Sequence, residues 1–369
     1  MLVIGPRSSG KTSFLEFLKT ALALPAKKRS KKSIEDDEFY VPTPASGNFI
    51  PHFMETEIDN ERIGLTLWDS EGLEKNVVDL QLREMSAFIE SKFEETFAEE
   101  MKVVRSPGAQ DTHIHAVFLV LDPAHLDRNI KAAQKASLNG FSRNGAHASQ
   151  PRISGALEED VELQALRILH KKTTVIPVIG KADTITSKHM TVLKKAVWDS
   201  IKGAGLDPLE ALGLEDDNDS DRIDEEDEED DYMNENAAPD STDEAGSDNM
   251  FQPSKNTPPT PMSPSSSKRL STQSIMRHRA AQEDSKEEET PFLPLSIISP
   301  DLYEPNVIGR QFPWGFADPY NEQHCDFERL KEAVFTEWRA ELREASKEQW
   351  YEGWRTSKLK QRDLPYRRR

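Results

Sequence analysis

Short, nearly uninterrupted apolar runs alternate along the chain with stretches of helical periodicity. Leu2-Val3-Ile4, His115–Leu121, Thr174–Ile179 and Leu295–Ile298 read as strands covered on both faces. Residues 53–58 and 61–68 read as a hairpin turning at Asp59-Asn60; in its second arm Ile63, Leu65 and Leu67 alternate with other residues, the period of a half-buried strand. Helical spacing predicts helices from Lys11 to about Leu24, from Val77 to about Met101, over 158–170 and 188–203, and from Asp326 to about Trp354. Strands alternating with helices specify an α/β fold, a mostly parallel sheet with helices on both faces.

Between these elements the pattern breaks down in three places. A basic stretch at 27–32 is followed by acids at 35–38 and by Pro and Gly up to Pro51, which predicts a mobile loop. Residues 134–156 are rich in Ser, Asn and Gly and read as a surface insertion. Residues 215–293 are acidic, then rich in Ser, Pro and Lys; they bury too little apolar surface to offset their ordering entropy and read as disordered. The repeating core pattern therefore occupies 1–210 and 294–355, with a basic tail at 356–369 and no heptads of a coiled coil.

Charge sharpens this division. The formal net charge is −19, yet residues 215–249 hold 18 acidic residues against one Arg, leaving the rest of the chain at about −2. A near-neutral folded part disfavours nucleic acid as a partner. No apolar run approaches the ~20 residues that cross a bilayer. A single Cys325 excludes an intrachain disulfide, so a cytoplasmic setting is expected.

Three motifs carry chemistry. Gly5-Pro6-Arg7-Ser8-Ser9-Gly10-Lys11-Thr12, with Ser13 beside it, has the G-x4-G-K-T spacing of a phosphate loop and lies between a strand and a helix. Glycines let successive backbone N–H groups converge at the positive end of the helix, Lys11 reaches the β- and γ-phosphates, and the Thr12 hydroxyl meets Mg²⁺. Asp69-Ser70-Glu71-Gly72 follows the alternating strand, where Asp69 is placed to hold Mg²⁺ through water and the Gly72 amide to meet a γ-phosphate. Gly180-Lys181-Ala182-Asp183 follows the apolar run 175–179. A carboxylate there accepts from both N1–H and N2–H₂ of guanine, a paired contact adenine cannot make, while a lysine stem lies along the base. Order and spacing favour GTP or GDP over ATP, with an ATPase as the weaker alternative.

These motifs, with Lys-Ala-Asp in place of the commoner Asn-Lys-x-Asp, resemble the GTP-binding domain of septins. The later segment Gly309-Arg310-Gln311-Phe312-Pro313-Trp314-Gly315, His324-Cys325-Asp326-Phe327, and Asp111–His115 are similar to stretches of that family. The resemblance implies a Ras-like domain that binds GTP or GDP with Mg²⁺ and polymerises with other septin subunits at the cell cortex or septum. It implies that Arg310 contacts the base, that Ser299 ends a base-binding strand, and that Trp314 and His324 lie in a subunit interface. The loop after the 115–121 strand lacks the family's His-Gly motif, which puts part of that interface in question. The cluster 27–32 is a candidate contact with an anionic membrane, each base there contributing about 1 kcal/mol.

Catalysis is less legible. Leu73 follows Gly72, so no glutamine stands there to orient water; Thr43 is the best candidate for a switch threonine. Slow or absent hydrolysis is expected. A monomeric switch GTPase binding effectors through 27–52 remains the alternative function.

Overall fold

The computed structural model describes residues 1–24, 49–58, 60–102, 112–138, 153–214, 272–278, 290–298, 300 and 307–363. Its centre is a six-stranded sheet in the order β2-β3-β1-β4-β7-β8. The strands are β1 (Leu2–Ile4), β2 (Phe49–Ile58), β3 (Glu61–Ser70), β4 (Ala116–Leu121), β7 (Thr174–Ile179) and β8 (Leu295–Ser296). All neighbours run parallel except edge strand β2, which pairs antiparallel to β3 across the Asn60 turn. Every residue of β1, β4 and β7 is buried, as expected of parallel strands covered on both sides.

Helix α1 (Lys11–Leu22) buries Phe14, Leu15, Phe17, Leu18 and Leu22, the spacing of one helical face. Phe14 meets Phe118 of β4 edge to face at 5.4 Å. Helix α2 (Val78–Glu100) buries Leu82, Met85, Phe88, Ile89 and Phe93, and Phe88 stacks on Phe49 of β2 at 4.2 Å.

Helix α3 (Pro123–Leu138) is an element the apolar pattern did not predict. It occupies the start of the expected 134–156 insertion, and the short hairpin β5 (Ile153–Ser154) and β6 (Leu157–Glu158) occupies its end. A π-helical turn Glu159–Leu163 then leads into α4 (Gln164–Leu169). On the far side of β7 come a 3₁₀ turn Ala182–Thr184, α5 (Ser187–Gly203) and α6 (Pro208–Ala211).

Three further boundaries differ from expectation. Strand β2 starts at Phe49 and includes Pro51, which an edge strand tolerates because its outward N–H need not join a ladder. Residues 273–278, inside the stretch expected to be disordered, form a helical turn against the C-terminal helix: Ser274 is buried and its N–H donates to Glu337 Oε2 at 3.0 Å. The C-terminal helix itself runs from Phe327 to Asp363, into the expected basic tail, and π-helical turns at Lys331–Glu337 and Ser346–Tyr351 interrupt it.

A buried ionic knot fastens that helix to the sheet. Asp326 Oδ2 accepts from Lys194 Nζ of α5 at 2.5 Å, from the Ser296 N–H of β8 at 2.6 Å and from the Ser296 hydroxyl. Its Oδ1 accepts from Arg329 at 2.9 Å. Burial alone would raise this carboxyl, but Lys194, Arg329 and Ser296 together bring it down to about 2.

Candidate functional site

Strand β1 is the point from which the chain turns to β3 on one side and β4 on the other. Ligands of open α/β sheets bind at the carboxyl ends of strands at such a switch point. The loops leaving β1, β3, β4 and β7 meet there.

The loop after β1 is shaped by its backbone. Gly10 stands before α1 at φ 98°, and Ser8 adopts φ 65°. Gly5 passes so close to β4 that an added Cβ would lie 2.3 Å from the Val120 carbonyl oxygen. The Leu73 N–H donates to the Gly5 carbonyl at 3.0 Å and the Arg7 N–H to the Leu73 carbonyl at 3.2 Å, which lashes the loop to the segment after β3. Gly72 makes this approach possible, since a Cβ there would lie 2.8 Å from Arg7 Cα. Arg7 and Glu74 pair at the surface across the same seam.

Within this cradle Lys11 is largely buried and its ammonium donates to the Pro6 carbonyl at 2.9 Å. Burial lowers its pKa, opposed by the charge of Asp69. The Thr12 hydroxyl donates to Asp69 Oδ2 at 3.3 Å. Asp69 Oδ1 and the Ser9 hydroxyl are buried without a hydrogen-bond partner. Buried polar atoms are normally satisfied, so these two suit a ligand and a cation.

The loop after β7 closes the opposite side. Lys181 takes a left-handed backbone, φ 54°, and its ammonium donates to the Ser8 carbonyl at 2.7 Å and to Asp122 Oδ1 at 2.8 Å. Asp122, the first residue after β4, was not singled out in the sequence. Its position as the polar residue ending an apolar strand, like Asp69 after β3, is the signal that could have found it. The side chain of Asp183 is fully buried, and Arg310 donates to its Oδ2 at 2.9 Å. The Ala182 N–H donates to the Ile297 carbonyl at 3.0 Å, and a Cβ on Gly180 would come within 3.1 Å of the Ser9 carbonyl. Sequence positions from 5 to 310 are thus gathered around one cleft.

Arg310 begins a further hairpin, β9 (Arg310–Phe312) and β10 (Gly315–Ala317). At its tip Trp314 is 82% exposed and stacks on Phe312 at 5.2 Å. A groove of about 550 Å³ runs beside Asp183 between this hairpin and α5, with Trp314 and His324 on its wall. His324 lies at the surface, where its Nδ1 accepts from the Asp318 N–H at 3.0 Å. Thr43, Ser299 and the basic stretch 27–32 lie outside the described residues.

This arrangement defines a P-loop nucleotide-binding domain of the α/β class. The septin family model matches residues 152–236 and 269–368, half of the chain. Along its length the chain is 23% identical to septin homolog spn3 of Schizosaccharomyces pombe, covering 97% of this chain and 72% of that one. It is 20% identical to rat neuronal-specific septin-3, covering 97% and 74%. It is 19% identical to human septin-4 over 96% of its own length, and spans 55% of that protein. The septin GTPase domain from Chlamydomonas reinhardtii superposes with a TM-score of 0.49 at 15% identity, over 96% of each chain. The chain belongs to the septin family.

Proposed function

We propose that this protein is a septin-type subunit that binds a guanine nucleotide in the cleft around Lys11 and assembles with other septin subunits into filaments. The observation that carries the reading is the buried Asp183 carboxylate, on a loop whose Lys181 is bonded to the phosphate loop. A guanine seated there would donate to Asp183 from N1 and N2. Gly180, Lys181 and Ala182 would frame the base, and Arg310, now on Asp183, would lie at its edge. Ser299, outside the described residues, is a further base contact by the same reading.

The backbone of Gly5 to Gly10, with Lys11, Thr12, Ser13 and the Gly72 amide, would hold the phosphates. The unpartnered Asp69 Oδ1 and the neighbouring Thr12 hydroxyl fit Mg²⁺, with Thr12 as ligand and Asp69 acting through water. The metal would supply charge neutralisation on the β- and γ-phosphates.

Hydrolysis should be slow or absent. Leu73 is buried and both its backbone groups serve the phosphate loop, so the position after Gly72 offers no side chain to orient water. Any turnover, with Thr43 as the switch threonine, should fall near intrinsic GTPase rates of about 10⁻⁴–10⁻² s⁻¹. A nucleotide held but seldom turned over acts as part of the structure, next to a hairpin that presents Trp314 outward. That role suits a cortical or septal scaffold in cell division, with the 27–32 cluster as a contact with anionic membrane.

The nucleotide released by denaturing the purified protein tests the reading, together with sedimentation of the native chain alone and with septin partners. Bound GTP or GDP and assembly into oligomers are expected. An adenine nucleotide in that position, or a strict monomer in every mixture at low salt, would overturn it.

A further inference from the structure

Outside the nucleotide cleft one cluster has the makings of a second metal site. His125 at the start of α3, Glu158 at the end of β6 and Glu162 in the following π-helical turn place one potential ligand atom each within 4.8 Å of one another. His125 Nε2 lies 3.3 Å from Glu162 Oε1 and 3.8 Å from Glu158 Oε2. Two ligands bound at about 2.0–2.1 Å to a tetrahedral zinc lie about 3.3–3.4 Å apart, so the spacing already approaches that of a coordination shell.

The other carboxylate oxygens are occupied in a way that aims these. Glu158 Oε1 accepts from Lys75 Nζ at 2.7 Å, leaving Oε2 toward the imidazole. Glu162 Oε2 accepts from the Glu158 N–H at 2.6 Å, leaving Oε1 toward it. Such outer bonds fix ligand orientation in metal sites. His125 Nε2 is itself buried and makes no hydrogen bond, although both oxygens are near. The Glu162 side chain is 1% exposed and that of Glu158 10%, so this is not a solvated acidic face.

We infer that His125, Glu158 and Glu162 bind a divalent transition cation of the zinc class, with one position open to water. One nitrogen and two carboxylate oxygens form a borderline donor set that favours zinc or cobalt over magnesium. The cation would neutralise two buried carboxylates and clamp β6 to α3. Through Lys75 the site reaches the segment after β3, which is bonded to the phosphate loop.

The test uses the full chain with its own nucleotide and Mg²⁺ retained, titrated with Co²⁺ and then Zn²⁺. The expected result is one equivalent of Co²⁺ with the intense visible absorption of a low-coordinate centre, bleached when Zn²⁺ displaces it. Cobalt exchanged into the nucleotide's magnesium position is six-coordinate and absorbs only weakly. Glu162→Gln, nearly isosteric, and His125→Ala should each weaken Zn²⁺ binding by at least about tenfold. Zn²⁺ should raise the melting temperature of the parent but not of Glu162→Gln. A parent showing only the weak six-coordinate spectrum would overturn the inference, and so would a folded Glu162→Gln protein that binds as tightly as the parent. The three ligands are not among the residues assigned to the phosphates, the base or the nucleotide's magnesium, so this result stands apart from the identity of the nucleotide.

Discussion

Lys181 donates to the Ser8 carbonyl oxygen at 2.7 Å, a direct bond between the loop that reads the base and the loop that holds the phosphates, 173 residues apart. The two halves of a nucleotide therefore meet one connected surface. Lys181→Ala cuts this tie and also leaves the Asp122 carboxylate without its cation. It should weaken guanine nucleotide binding by at least about tenfold, given the ~1.5–3 kcal/mol of a charged hydrogen bond. Equilibrium competition with labelled GDP measures it. Retention equal to the parent would show that the loops are positioned without this bond.

Asp183 decides which purine fits. Asp183→Asn replaces an acceptor by a donor at the atom facing N2 of guanine, and it frees Arg310 from its carboxylate partner. GTP affinity should fall by about 100-fold or more, as expected when a charged hydrogen-bonding pair loses one partner. Xanthosine triphosphate, with an oxygen in place of the 2-amino group, should become the better ligand. Paired competition curves with the two nucleotides check the exchange.

Much of this was legible because it is local. Strands β1, β4 and β7 are runs of residues buried on both faces, and the glycines of the phosphate loop sit at fixed offsets. Helix α3 was missed because its apolar stripe is thin: Leu126 is buried, but buried Asn129, which donates to the Ala156 carbonyl, serves in place of a hydrophobe. The end of the Ser/Pro-rich stretch was misread because what holds residues 273–278 is distant in sequence: Ile275 packs against the core, and Ser274 and Arg277 bond to Glu337 and Glu332 of the C-terminal helix. The Lys181–Asp122 and Lys75–Glu158 pairs join residues 59 and 83 positions apart, which no local pattern encodes.

Trp314 separates assembly from folding. It is 82% exposed and rests on Phe312, so the isolated subunit gains little by burying it. Trp314→Ala should change stability by no more than about 0.5 kcal/mol, the usual range for surface substitutions. If the hairpin seats a neighbouring subunit, the same change should weaken association by at least about 2 kcal/mol, since buried aromatic anchors dominate interfaces. Melting curves and sedimentation velocity on the same samples separate the two effects. An unchanged oligomer distribution would place the interface elsewhere.

His278 makes the C-terminal attachment sensitive to acid. Its ring lies 5.7 Å from that of Phe292, and burial first, then the nearby Arg329 and Lys194, lowers its pKa to about 4 from a usual 6.5. The folded state therefore binds fewer protons here than the unfolded chain, and its contribution to stability is complete above pH ~6.5 and lost as pH falls toward ~4. The loss should amount to about 1–2 kcal/mol, less than the full shift because the ring is partly exposed. Asp326 acts in a lower window: its stabilisation, present above the ordinary carboxylate pKa near 3.8, disappears as pH falls toward about 2. Measured as the difference from the parent, His278→Asn should remove this contribution to the slope between pH 6.5 and 4 while leaving the fall below pH 4. Asp326→Asn should instead cost about 3–5 kcal/mol at neutral pH, because it strands Lys194 as a buried unpaired charge. Urea unfolding of the parent and both variants at several pH values resolves the two, and a His278→Asn profile parallel to that of the parent between pH 6.5 and 4 would show that His278 is freely protonated in the folded protein.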